Sequence, residues 1–148
     1  MYLQNTQNEI HIFNFEQLCI HEASHAIMCM VQGVKLHTVQ VCPITGEGHV
    51  SAYKITKHIA LAGYVGEAMF FEPRYKFDMA HFLDSVDFKL YKGCIPQDQA
   101  PLEVLSSDIA ETCLLLMNYE KEIRRLARRL AHRNKLHSDF ITKFIVIK

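Results

Sequence analysis

A long apolar segment that contains a few polar residues in its middle constrains the fold of this chain more than any other feature. The segment runs from Phe15 to about Val31, Asn14 before it is a residue type that caps helices, and Gly33 after it can adopt the left-handed conformation that closes them. Its length and its apolar residues predict a helix in the protein core. Burying polar side chains there is costly unless they have partners, so the polar residues inside this helix are candidates for a site.

The polar residues in question form a His-Glu-x-x-His motif, His21-Glu22-Ala23-Ser24-His25. Residues four apart on a helix lie about 40° apart around its axis, so both imidazoles can bind one Zn²⁺. Glu22 lies about 100° away from His21 on the same helix, where its carboxylate can act as general base and acid towards a water on the metal. The motif therefore predicts a zinc-dependent hydrolysis of peptide bonds. The alternative is that both histidines are merely hydrogen-bonded on a solvent-facing side of the helix.

The remaining pattern predicts a mainly α-helical (α+β) protein with one β-hairpin. Alternating apolar residues around a glycine turn predict strands at 36–42 and 49–53, and the segment 57–71 predicts a buried helix that Pro73 ends. Because the 148 residues contain no repeat or linker, we expect one domain over residues 1–148. Further helices are predicted at 85–91, capped by Asp84 and closed by Gly93, at 101–118, at 120–133, and from Ser138 onwards.

Composition restricts the compartment and the partners. Sixteen basic and sixteen acidic residues give a formal net charge of zero, which provides no overall field towards nucleic acid or an acidic membrane. Five cysteines without a Cys-x-x-Cys pair favour reduced thiols and a cytoplasmic location. The longest apolar segment, 59–71, is shorter than the roughly 20 residues of a membrane helix, so we expect no membrane span.

Several segments of the chain also match the order of motifs in a known protease family. The family has a helix that reads His-Glu-Ala-Gly-His-Ala, then a strand that ends near a proline, then a buried helix that reads Ala-Gly-x-x-Ala-Glu-Glu. The chain resembles this zinc peptidase domain of the FtsH-type proteases over about its first two thirds. The resemblance implies a zincin-like helical domain with one hairpin, in which His21 and His25 bind Zn²⁺ and Glu22 is catalytic. The matching segments are His21–Ile27, Gly33, Thr38–Pro43, Gly46, Gly48 and Leu61–Ala68.

The resemblance further implies a third zinc ligand, an aspartate that opens a helix after the buried one. Asp87 fits this description, because Ser85-Val86-Asp87-Phe88 resembles the family's Ser-x-Asp-hydrophobic sequence. Three other acids remain alternatives. Asp84 can instead cap a helix, Asp108 can be an early-turn acid that the helix dipole favours, and Glu67 can be a ligand as in zinc peptidases with a downstream glutamate.

In the resembling family, the strand beside the zinc pairs with an extended substrate. The resemblance thus implies substrate binding at Val39, Val41 and Cys42, through backbone hydrogen bonds of the strand. The alternative is a hairpin that only covers the core.

The chain lacks the Gly-x-x-x-x-Gly-Lys-[Ser/Thr] phosphate loop of the family's ATPase, so we expect no use of ATP and a substrate of flexible peptide or unfolded protein. A catalytically inactive zinc-binding module for interaction or regulation is the alternative function. Oligomeric state stays open. A stripe of arginines on the helix at 120–133 favours a solvated face over contact with nucleic acid or an acidic partner: Arg124, Arg125, Arg128, Arg129 and Arg133.

Overall fold

The first long helix forms as its sequence predicts. In the computed structural model, which describes residues 5–6, 9–10, 13–71, 76–99 and 103–147, helix α1 spans Phe15–Val31. The Asn14 side chain accepts a hydrogen bond from the Gln17 backbone N–H at 3.1 Å, and Gly33 has a φ of +68°. Both ends of α1 are therefore closed by the residues expected to close them.

Helices α1, α2 (Lys57–Phe70), α5 (Ser106–Met117) and α6 (Glu120–Arg133) form the helical frame. α1 packs against α2 and α6, and α2 packs against α5. These contacts bury Ile27, Leu61, Ile109 and Leu126 completely. The mainly α-helical (α+β) class predicted from the sequence is confirmed.

A three-stranded antiparallel sheet covers α1. The predicted hairpin is present as β3 (Leu36–Val41) and β4 (Gly48–Ala52), and β5 (Lys135–His137) adds to the other side of β3. Val39 at the centre pairs with Val50 of β4 and Leu136 of β5. β5 was not predicted, because three residues are too few to show an alternating pattern. Two short paired segments, β1 (Asn5–Thr6) and β2 (Glu9–Ile10), precede α1.

The segment after α2 differs from the prediction. The expected helix at 85–91 is replaced by two short helices, α3 (Met79–Asp84) and α4 (Phe88–Lys92), with Gly93 closing the second. Asp78 and Asp87 cap them by accepting backbone N–H hydrogen bonds, so the expected cap Asp84 is instead the last residue of α3.

Of the last three helices, the first starts later than the sequence predicts and the other two start where it predicts. α5 begins at Ser106, and residues 103–105 before it are not helical, so the predicted start at 101 is too early. α6 has the predicted bounds, and α7 (Ser138–Phe144) begins at Ser138. Pro73 and Pro101, expected to end and open helices, lie outside the described residues. No helix in the described part of the chain has the length and apolar character needed to cross a membrane.

Candidate metal centre

The two motif histidines lie one turn apart on α1 and bring their Nε2 atoms to 3.1 Å from each other. The Nδ1 atom of His25 lies 2.6 Å from the backbone carbonyl oxygen of Ile59, and the Nδ1 atom of His21 is hydrogen-bonded to the carboxylate of Glu67. Both partners accept, so both Nδ1 atoms donate a proton and both Nε2 atoms of the neutral rings carry lone pairs. Two lone pairs at this distance repel each other unless a cation or proton lies between them.

The surroundings of His25 keep it neutral. Its pKa is lowered to about 3, mainly by burial and also by the charge that a protonated His21 would carry, while the hydrogen bond to Ile59 opposes this. A neutral imidazole whose second nitrogen is held by a carbonyl or carboxylate is the usual form of a metal ligand.

Helix α2 crosses the two histidines at Gly63. A Cβ atom built on Gly63 would lie 2.4 Å from the Nε2 atoms of both His21 and His25. A side chain at this position would therefore collide with both imidazole rings. Only glycine lets α2 pass this close to the two histidines.

Glu22 is buried, with 4% of its surface exposed. Burial raises the pKa of its carboxyl group, whereas a proton on His21 would lower it. The carboxylate lies directly beneath the start of β4, since a Cβ on Gly48 would be 2.3 Å from its Oε2 atom.

The three motif residues open into one cavity of about 350 Å³. β4 and the start of α2 form its walls, together with the segment that follows α4. The cavity is lined by His21, Glu22, His25, Gly48, His49, Val50, Ile55, Ile59, Ala60, Cys94 and Pro96.

The structure does not bring Asp87 to the histidines. Its Oδ1 atom accepts hydrogen bonds from the backbone N–H groups of Lys89 at 3.1 Å and Leu90 at 3.3 Å, and the residue is exposed. Asp87 is thus occupied as a helix cap, which is the role predicted for Asp84; Asp84 is also exposed. Across residues 13–71, 76–99 and 103–147, no three His, Cys, Asp or Glu side chains are grouped so that they could hold a metal ion.

The other two acids lie on the helices around the site. Glu67 on α2 uses one carboxylate oxygen for His21 and the other for the side-chain amide of Gln17, so both oxygens are engaged and the contact orients the His21 ring. Asp108, in the first turn of α5, accepts from the Leu105 N–H at 2.8 Å and from the Lys57 ammonium at 3.3 Å.

The predicted substrate strand has no open edge. Val39 and Val41 are buried in the core, and β3 is paired with β4 on one side and with β5 on the other. Even the Val41 N–H, beyond the end of β5, donates to the Asn134 carbonyl at 2.8 Å. A peptide could therefore pair with β3 at Val39 and Val41 only by displacing β5. The Cys42 N–H is bonded to the Glu47 carbonyl at 2.8 Å, so the substrate role predicted for Val39, Val41 and Cys42 needs correction.

The backbone groups that belong to the site were not predicted from the sequence. The Ile59 carbonyl has no signal in the sequence, since every residue has one. Gly63 and Gly48 are visible as glycines in the matching motifs, but their close approach to the histidines and to Glu22 depends on how α2 and β4 cross α1.

The structure therefore brings the Nε2 atoms of His21 and His25 together and holds each ring by its Nδ1 atom, while no third metal-binding side chain of the described residues joins them. A comparison of the sequence with protein-family models and with curated proteins finds no match.

Proposed function

We propose that the protein is a zinc-dependent peptidase that hydrolyses peptide bonds in flexible or unfolded polypeptide. The observation that supports this most is the pair of Nε2 lone pairs at 3.1 Å, because a shared cation removes their repulsion. The free thiols of the five cysteines are consistent with a cytoplasmic location, which we also propose.

In this proposal His21 and His25 hold the ion, while Glu67 and the Ile59 carbonyl fix the orientation of the two rings. Bound zinc supplies a Lewis acid that lowers the pKa of water and polarises a carbonyl group. Glu22 takes the proton of the attacking water and passes it to the leaving amine. Burial by itself raises the pKa of the Glu22 carboxyl group, which favours it as a proton acceptor, whereas the charge of a bound zinc ion would act in the opposite direction.

For the third ligand we propose Asp108 in place of Asp87. The helix that carries it, α5, packs against α2, and its carboxylate contacts Lys57 in the first turn of α2. The same turn contains Ile59, whose carbonyl oxygen accepts from His25. Asp108 would have to exchange its ion pair with Lys57 for the metal.

For substrate binding we propose the outer edge of β4 in place of β3. Among the described residues β4 pairs only with β3, so its other edge is free, and its residues 48–50 line the cavity beside Glu22. An extended peptide that adds to this edge gains backbone hydrogen bonds without a strict sequence requirement.

Elemental analysis combined with a hydrolysis assay on unfolded casein tests the proposal. We expect about one zinc per chain, lost in His21→Ala and His25→Ala because each removes a ligand. His37→Ala is the matched control, since His37 is an exposed histidine of β3 and should keep the metal. Glu22→Gln should keep zinc and lose roughly 10²-fold or more of the hydrolysis.

The same assay distinguishes the alternatives. A protein that takes up no zinc contradicts the metal site. Zinc binding without Glu22-dependent hydrolysis would indicate the catalytically inactive zinc-binding module. Asp108→Asn should release the metal while Asp87→Asn keeps it, and the reverse result would overturn our choice of the third ligand.

A further inference from the structure

The outer side of α6 carries a concentration of positive charge in a chain whose net charge is zero. This helix contains six Lys or Arg residues and two glutamates. Three of its arginines, Arg125, Arg129 and Arg133, are spaced four residues apart and so follow one line along the helix, with steps of about 6 Å. We call these three residues the arginine row.

The arginine row lies on two phenylalanines of α7. The guanidinium carbon of Arg125 is 4.2 Å from the ring centroid of Phe144, that of Arg129 is 4.8 Å from the same ring, and that of Arg133 is 5.4 Å from the Phe140 ring. The two rings stack on each other with centroids 5.5 Å apart. On a solvated face these arginine side chains would be mobile, whereas the contacts with the two rings hold them in a line.

The N–H donors of these guanidinium groups are still available to a ligand. Within the described residues no carboxylate pairs with the arginine row. Arg124 of the same helix differs, because it binds Glu120 at 2.9 Å and the Phe70 carbonyl at 3.0 Å. The row therefore presents ordered, unneutralised cations, whereas Arg124 is used within the fold.

We propose that the arginine row binds the backbone of single-stranded nucleic acid. A linear series of cations fits a linear polyanion better than a flat anionic membrane, and the guanidinium edge matches a phosphate with two parallel hydrogen bonds. The planar guanidinium groups and the phenylalanine rings beside them can also stack with bases, which an acidic peptide lacks. This activity is separate from the proposed peptidase site and does not depend on it.

Fluorescence anisotropy with labelled 12-nucleotide oligo-dT and oligo-U, measured over a series of salt concentrations, tests the proposal. The logarithm of the binding constant should fall with the logarithm of salt concentration with a slope of about −2, or −0.7 for each of three phosphates. The triple variant Arg125→Gln/Arg129→Gln/Arg133→Gln should bind at least about tenfold more weakly and lose most of that slope. The two oligonucleotides show whether RNA or DNA is preferred.

The matched control removes the same charge elsewhere. Lys35→Gln/Lys54→Gln/Lys89→Gln takes away three exposed lysines outside α6 and should leave the affinity nearly unchanged. If the glutamine variant does not fold, as judged by circular dichroism, the triple Arg→Lys variant decides: it keeps the charge but loses the planar fork, and should bind more weakly than wild type.

Four results would overturn the proposal. The first is the absence of oligonucleotide binding at low salt, and the second is wild-type affinity in the folded glutamine variant or in the lysine variant. The third is displacement of the oligonucleotide by polyglutamate at equal charge concentration. The fourth is tighter binding to vesicles of anionic lipid than to the oligonucleotides.

Discussion

At the scale of single residues, the contact of α1 and α2 differs from the FtsH-type pattern at two positions. The residue on α1 is larger and the residue on α2 is smaller than in that pattern. In the FtsH-type pattern, glycine stands where this chain has Ser24, and alanine stands where it has Gly66. The Ser24 hydroxyl donates to the Ile20 carbonyl at 2.7 Å, and a Cβ on Gly66 would lie 1.9 Å from the hydroxyl oxygen. Ser24 therefore occupies the space that an alanine at position 66 would need.

This exchange predicts a strong coupling between the two positions. Gly66→Ala alone should lower the free energy of unfolding by about 1–3 kcal/mol through overpacking. Adding Ser24→Gly should recover part of that loss, although glycine inside a helix costs about 1 kcal/mol by itself. Urea denaturation of the two single variants and the double variant measures the coupling, and simply additive effects would show that the residues do not compete for space.

Gly63 leads to a second prediction at this scale, on metal binding. In Gly63→Ala the new methyl group would lie 2.4 Å from both Nε2 atoms, so we expect zinc binding to fall about as far as it does when a ligand is removed. Gly93→Ala is the control, because its Cβ would meet no atom closer than 3.4 Å. Zinc content per chain checks this, and a Gly63→Ala variant with full zinc would mean that the ion binds elsewhere.

The sequence was sufficient for some residues of the site and insufficient for others. His21, Glu22 and His25 are adjacent on one helix, so their mutual arrangement follows from helix geometry alone. Asp87 illustrates the limit, because an aspartate before a short helix is equally suited to cap the helix and to bind a metal. The hydrogen bonds from Lys89 and Leu90 determine its role, and they form only when the chain turns at that point.

At the scale of elements, the bounds of α1 and α6 and the hairpin of β3 and β4 were predicted from the sequence, whereas α3, α4 and β5 were not. α1 and α6 have strong caps or a strong apolar stripe, and their predicted bounds agree with the structure. α3, α4 and β5 have six residues or fewer. Segments of this length are stabilised by contacts with distant parts of the chain, which no local pattern records.

α7, with seven residues, is also short, and its attachment gives a third prediction. Phe144 contacts two guanidinium groups and stacks on Phe140. Phe144→Leu keeps an apolar side chain but removes the aromatic ring, so we expect a loss of about 0.5–1 kcal/mol for each cation contact. The loss should appear as faster hydrogen exchange of the α7 amides.

Phe88→Leu is a suitable comparison, since Phe88 is 42% exposed on α4 and α4 is a separate helix. Equal exchange of the α7 amides in both variants would mean that the arginine contacts do not hold α7.

At the scale of the whole molecule, a bound ion would connect the elements that meet at the site. A ligand that binds only the folded chain stabilises it by about 2.7 kcal/mol when its free concentration is 100 times the dissociation constant. The fourth prediction is therefore that zinc raises the melting temperature of chelator-treated protein, and that Glu22→Gln shows the same increase because Glu22 is not a ligand. In His21→Ala/His25→Ala the increase should be absent, and its persistence there would contradict the site.

The order of the sheet has a consequence for how the protein avoids association with itself. An unpaired strand edge is a template on which another chain can add, and β3 is the most apolar strand of this sheet. Three residues from near the end of the described chain, 135–137, cover that edge at Thr38, Val39 and Gln40. The edge of β3 is therefore covered only once α6 has folded and delivered these residues, and the edge that remains exposed among the described residues belongs to the more polar β4.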